Sequence, residues 1–64
     1  MKMYDVDIKM VSDGTERRFI EVVVYDTPSS VCISESTRER EAVRQVRQRF
    51  PTATSIVALS SISP

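Results

Sequence analysis

The chain holds no histidine, no tryptophan, one cysteine and one glycine in 64 residues. Each scarcity closes a class of chemistry. Without histidine, the commonest general acid–base is missing, and so is the usual activator of serine or cysteine nucleophiles. Cys32 alone can form neither an internal disulfide nor a zinc ligand set. Flanked by Val31 and Ile33, it is expected to behave as a small buried hydrophobe rather than a reactive thiolate. Gly14 alone cannot build a phosphate-cradling loop or a dinucleotide fingerprint. No apolar run approaches the roughly 20 residues of a membrane span, and the opening Met1-Lys2-Met3-Tyr4-Asp5 lacks the apolar core of a signal peptide. The expectations are therefore no enzyme, no cofactor, no bound metal and no membrane, with a cytoplasmic location.

Charge is also scarce in one sense: nine basic and nine acidic side chains cancel. A dedicated nucleic-acid binder carries a strong positive excess, and this chain does not. The charges are unevenly spread. Residues 1–34 carry four bases and six acids, and residues 35–64 carry five bases and three acids. The length allows one domain, residues 1–64. A domain this small buries only about 60% of its unfolded surface. With disulfides and metals excluded, self-association is the remaining usual source of added stability.

Residues 36–50 are the most legible stretch. Ala42, Val43, Val46 and Phe50 recur on one arc of roughly 100°, the mark of an amphipathic helix. Ser36 followed by Glu39 predicts a capping box at its start, and Pro51 predicts its end. Glu35, Glu39 and Glu41 precede Arg44, Arg47 and Arg49, an order that complements the helix dipole. Arg40, Arg44 and Arg47 share one solvent-facing ridge by their spacing. Most such ridges are only solvated faces, but this one is the candidate anion or nucleic-acid site.

Strands are expected on both sides of the helix. Tyr4, Val6, Ile8 and Met10 alternate with Asp5, Asp7 and Lys9, a half-buried strand over 3–11. Residues 17–25 form a second, with Ile20, Val22 and Val24 on one side and Phe19, Glu21, Val23 and Tyr25 on the other. The connection at Ser12-Asp13-Gly14-Thr15 is a hairpin loop. A two-residue Asp13-Gly14 turn would place Glu21 opposite Val6, on the core face. A three-residue loop over 12–14 places Ile20 opposite Val6 and Val22 opposite Tyr4. A one-residue slip inverts a whole strand, so the three-residue loop is preferred, although it sets Lys9 against Arg17 and Asp5 against Glu21. Residues 26–30 read as a turn around Pro28, and Val31–Ile33 as a brief strand or an extended lead into the helix. Ser55–Ile62 reads as a last strand, apolar on both sides and so more buried than the first.

The expected fold is α+β: a β-hairpin, a short extended segment, one amphipathic helix and a C-terminal strand, with the helix on one face of a mainly antiparallel sheet of three or four strands. The core would combine Tyr4, Val6, Ile8, Ile20, Val22 and Val24 with Ala42, Val43, Val46, Phe50 and the last strand. Helix and strand from Ser36 through Glu41-Ala42 to Phe50-Pro51 and Ile56 resemble a layout of many small accessory domains, including those of phages and mobile elements. That likeness covers half the chain and follows from capping, amphipathicity and a proline stop alone.

One helix leaves one sheet face bare. In the preferred register that face carries Phe19, Val23 and Tyr25, with Met3 and Val11 nearby, and a contiguous apolar patch marks an interface. The chain is thus read as a protein-interaction module that forms a homodimer through this face or an edge strand. The alternative is a nucleic-acid-associated accessory protein, using the arginine ridge or stacking bases on Phe19 and Tyr25 beside Arg17 or Lys9; Asp5, Asp7 and Glu21 oppose the stacking version. A cation held by Asp5 and Asp7 with Asp13 or Glu21 is outweighed by the plainer reading of polar residues on a solvated strand face.

Overall fold

The computed structural model describes residues 1–28 and 30–62, with the backbone alone at Ile62. The order is β1 (Lys2–Ser12), β2 (Thr15–Tyr25), α1 (Glu35–Arg49) and β3 (Ser55–Ile62). All pairing is antiparallel, in the order β2-β1-β3. The expected α+β layout is present, with three strands. Val31–Ile33 joins no strand. The expectations for Ser29 and for the side chain of Ile62 lie outside what is described.

The hairpin register corrects the sequence reading. Asp13 and Gly14, both at positive φ (53° and 76°), make a two-residue turn closed by Ser12 and Thr15. Positive φ at both central positions is the type I′ conformation, whose twist matches that of paired strands. Every residue of β2 is therefore displaced by one from the preferred pairing, and Val6 lies opposite Glu21. Phe19, Val23 and Tyr25 consequently share the helix-covered face with Val6 and Ile8, while Ile20, Val22 and Val24 face outward.

β1 is the central strand and supplies most of the core. Tyr4, Val6, Ile8 and Met10 are all buried, as are Val23, Ala42, Val46 and Ala53. Phe19, Tyr25, Val43, Phe50, Ile56 and Ala58 pack around them. β3 is an edge strand and less buried than β1, contrary to expectation. Its pairing slips between Asp7 and Ile8, which leaves Leu59 as an extra residue. Such a bulge bends and twists an edge.

The helix begins at Glu35, and its cap lies two residues before the expected Ser36. Ser34 is the N-cap: its Oγ accepts from the Thr37 amide at 3.3 Å and lies 2.7 Å from Thr37 Oγ1. Ser36 falls inside the first turn, where it cannot take the capping role. At the other end the Phe50 amide donates to the Val46 carbonyl at 2.9 Å, and Pro51 follows. Removing a serine cap costs about 1 kcal/mol. Ser34→Ala should lower stability by about that amount in urea unfolding and Ser36→Ala by a few tenths at most; equal effects would contradict the cap assignment.

The two hairpin strands run about 36 Å at roughly 3.3 Å per residue, whereas a 15-residue helix reaches about 22 Å. The molecule is correspondingly long, 42 × 18 × 15 Å. The helix covers one sheet face over part of its length, and nothing from this chain covers the other face among the described residues.

Candidate functional site

The bare sheet face follows from the register. From β1 it receives Met3, Asp5, Asp7, Lys9 and Val11; from β2, Glu16, Arg18, Ile20, Val22 and Val24; from β3, Val57 and Leu59. Ile20 is 57% exposed, Val22 42% and Val24 51%, with Met3, Val57 and Leu59 in the same range. Sequence reasoning placed Met3 and Val11 here correctly. Phe19, Val23 and Tyr25 it placed on the wrong side: Val23 is fully buried and Tyr25 packs edge-on to Tyr4 at 6.2 Å. The Asp13-Gly14 dipeptide was the signal that would have identified Ile20, Val22 and Val24 instead.

The central row of this face is charged, and neighbouring strands answer those charges. Arg18 donates to Asp7 at 2.8 Å, and Lys9 lies 3.4 Å from Glu16. These diagonal contacts relieve the direct opposition of Lys9 and Arg18 in the ladder. Asp7 is thus occupied and Glu21 lies on the opposite face. No group of three or more His, Cys, Asp or Glu side chains that could hold a metal ion occurs among the described residues. No aromatic side chain lies on the bare face either, so the base-stacking reading loses Phe19 and Tyr25. Cys32 is exposed, not buried, because its segment joins neither sheet nor helix.

Arg40, Arg44 and Arg47 are all exposed on the helix, but two are engaged. Arg44 forms an ion pair with Glu41, which raises the guanidinium pKa and lowers that of the carboxyl, chiefly through their hydrogen bonds. Arg47 Nη1 donates to the Ala53 carbonyl at 2.5 Å and ties the helix to the turn before β3. The helix therefore presents a partly neutralised face rather than three free cations.

Two further arginines hold the domain together. Glu21 is 5% exposed, on the core face. Arg49 donates to both of its oxygens, at 2.7 and 2.6 Å, and Gln45 Nε2 adds a third bond at 2.8 Å. The Arg49 bonds hold the Glu21 carboxyl below its ordinary pKa against the opposing effect of burial, with Gln45 assisting. Gln45 Nε2 also reaches the Val22 carbonyl on the edge of β2, at 3.1 Å. At the other end of the helix the Arg38 guanidinium stacks 4.4 Å over the Tyr4 ring. It donates to Ser61 Oγ at 3.1 and 2.9 Å and to the Ile33 carbonyl at 3.2 Å. Arg38 thus binds helix, loop, β1 and β3 in one cluster. Nothing in its spacing distinguished it from the solvent-facing arginines.

No helix among the described residues is long and apolar enough to cross a membrane. Comparison with protein-family models, with curated proteins and with solved structures finds no match to this chain.

Proposed function

We propose that this chain is a non-enzymatic protein-interaction module that associates with a second copy of itself through the sheet face its helix leaves bare or through an edge strand of that sheet. The observation that supports this is the set Met3, Ile20, Val22, Val24, Val57 and Leu59, six large apolar side chains between 42 and 57% exposed on one side of a 64-residue domain. Apolar patches of this kind on small domains mark contact surfaces, and association supplies the burial that a single small core lacks. The arginine ridge is the weaker alternative, since Glu41 and the Ala53 carbonyl already engage two of its three members.

Sedimentation velocity across a concentration series tests the reading. The wild-type chain should pass from monomer to dimer mass below about 1 mM, and Ile20→Lys with Val24→Lys should weaken association at least ~10-fold, about 1.4 kcal/mol, while far-UV dichroism stays unchanged. A wild-type chain that remains monomeric throughout, yet binds duplex or single-stranded nucleic acid with affinity falling steeply in salt, would overturn it in favour of the ridge.

A further inference from the structure

The two edges of the sheet are not equivalent. Natural edge strands are blunted by bulges, proline, lysine or short length. β3 is eight residues long, carries the Leu59 bulge and is rich in serine. β2 is eleven residues long and in unbroken register with β1. Between Phe19 and Tyr25 it has no proline, glycine, lysine or bulge.

The turn fixes which backbone groups of that edge are unused. Residues flanking a two-residue hairpin turn form a hydrogen-bonded pair, and such pairs then alternate along the ladder. Ser12 and Thr15 flank the turn, so the odd-numbered residues of β2 bond to β1, and Ile20, Val22 and Val24 turn their N–H and C=O groups outward. Two contacts agree with this phase. Gln45 finds the Val22 carbonyl free to accept at 3.1 Å, and on the far side of β1 the Val11 carbonyl accepts from the Thr54 amide at 2.9 Å. The residues with unused backbone groups are thus the ones whose side chains are apolar and exposed.

We propose that two copies join edge to edge through β2, antiparallel about a two-fold axis at Val22, to make one continuous six-stranded sheet. This rests on the self-association proposed above and specifies how it occurs. An isologous pair sets each residue against its mirror position. With the axis at Val22, Ile20 meets Val24 of the second copy, Phe19 meets Tyr25, and Arg18 meets Asp26; on the helix-covered face Glu21, held by its own Arg49, meets Val23. The seam is thus apolar on the bare face and closed at both ends by opposite charges. Neighbouring registers are worse. An axis at Ile20 sets Arg18 against Val22 and Glu16 against Val24, one at Glu21 sets Glu16 against Asp26, one at Val23 sets Ile20 against Asp26, and one at Val24 sets Val22 against Asp26. The Val22 carbonyl has a second lone pair, so Gln45 does not forbid the new bond. Lys9, Asp5 and Asp7 stay in water, whereas stacking the bare faces would bury them.

Amide hydrogen exchange on the wild-type chain reads this directly. The Ile20, Val22 and Val24 amides should slow on the order of 10-fold or more between monomer and dimer concentrations. Val22→Pro removes one outward N–H at an edge site that tolerates proline and should leave a monomer, whereas Val57→Lys with Leu59→Lys should still dimerise. Arg18→Asp and Asp26→Arg should each weaken the dimer and together restore it. A dimer whose three amides exchange as in the monomer, and which Val57→Lys with Leu59→Lys breaks, would overturn edge pairing yet leave self-association through the bare face standing. A chain that never dimerises would overturn both.

Discussion

Ile8→Ala is expected to cost about 2–5 kcal/mol, the range for deleting a buried isoleucine side chain down to its β-carbon. Ile8 is fully buried on the central strand, opposite Phe19 on one side and Ala58 on the other, with Val46 in the same cluster. A domain of this length has roughly 3–10 kcal/mol of stability to lose. Ile8→Ala should therefore lose a large share of that stability, with its urea midpoint strongly reduced or no cooperative transition left. Ile20→Ala is the necessary comparison. It deletes the same atoms from a residue whose side chain lies in the open, so the monomer should lose only a few tenths of a kcal/mol. Measured at a concentration where the chain is monomeric, equal losses at the two isoleucines would mean that β2 is turned the other way.

That comparison bears on what the sequence reveals. The helix was legible to within two residues because apolar spacing, dipole-ordered charge and Pro51 all act locally. Its cap was missed because Ser34 and Ser36 each stand three residues before a polar side chain, Thr37 and Glu39, and the sequence does not separate the two; the structure uses Ser34. β1 was legible because Tyr4, Val6, Ile8 and Met10 alternate with charges. β2 offered no such contrast: its two faces, Ile20-Val22-Val24 and Phe19-Val23-Tyr25, are both apolar. The single charge between them, Glu21, was read as belonging to water. The turn chemistry of Asp13-Gly14 pointed the other way and was correct. What outweighed it was the cost of a carboxylate in the core, a cost that Gln45 and Arg49 offset from 24 and 28 residues away. A buried charge is legible only together with its partner, and the partner was indistinguishable from the other helix arginines. The interface candidates inherited the same error, so the bare face was anticipated while most of its residues were not.

Arg49→Met should measurably destabilise the fold at neutral pH. Taking away one partner leaves the Glu21 carboxylate confined among apolar groups with Gln45 as its remaining donor, and the half-exposed position of Arg49 keeps the loss below that of a fully buried pair. The pH dependence carries a sign that separates this from lost packing. In the wild type the Glu21 carboxyl titrates below its ordinary value near 4.5. Its stabilising contribution is therefore complete above that pH and falls away as the pH drops through the folded-state value. In Arg49→Met, burial is left to act with less opposition and raises the Glu21 pKa, so mild acidification should recover part of the lost stability before the remaining carboxylates titrate. Replacing both partners, Glu21→Met with Arg49→Met, removes the charge and its need for a partner together. The double variant should be more stable than Arg49→Met alone at pH 7 and should have a shallower acid limb than the wild type, because similar-sized apolar side chains often replace an enclosed ion pair without loss. Urea unfolding of the wild type and these two variants between about pH 3 and 7 supplies the comparison. If Arg49→Met kept the wild-type stability and acid limb, Arg49 would not be what allows a glutamate to occupy the centre of the helix-covered face.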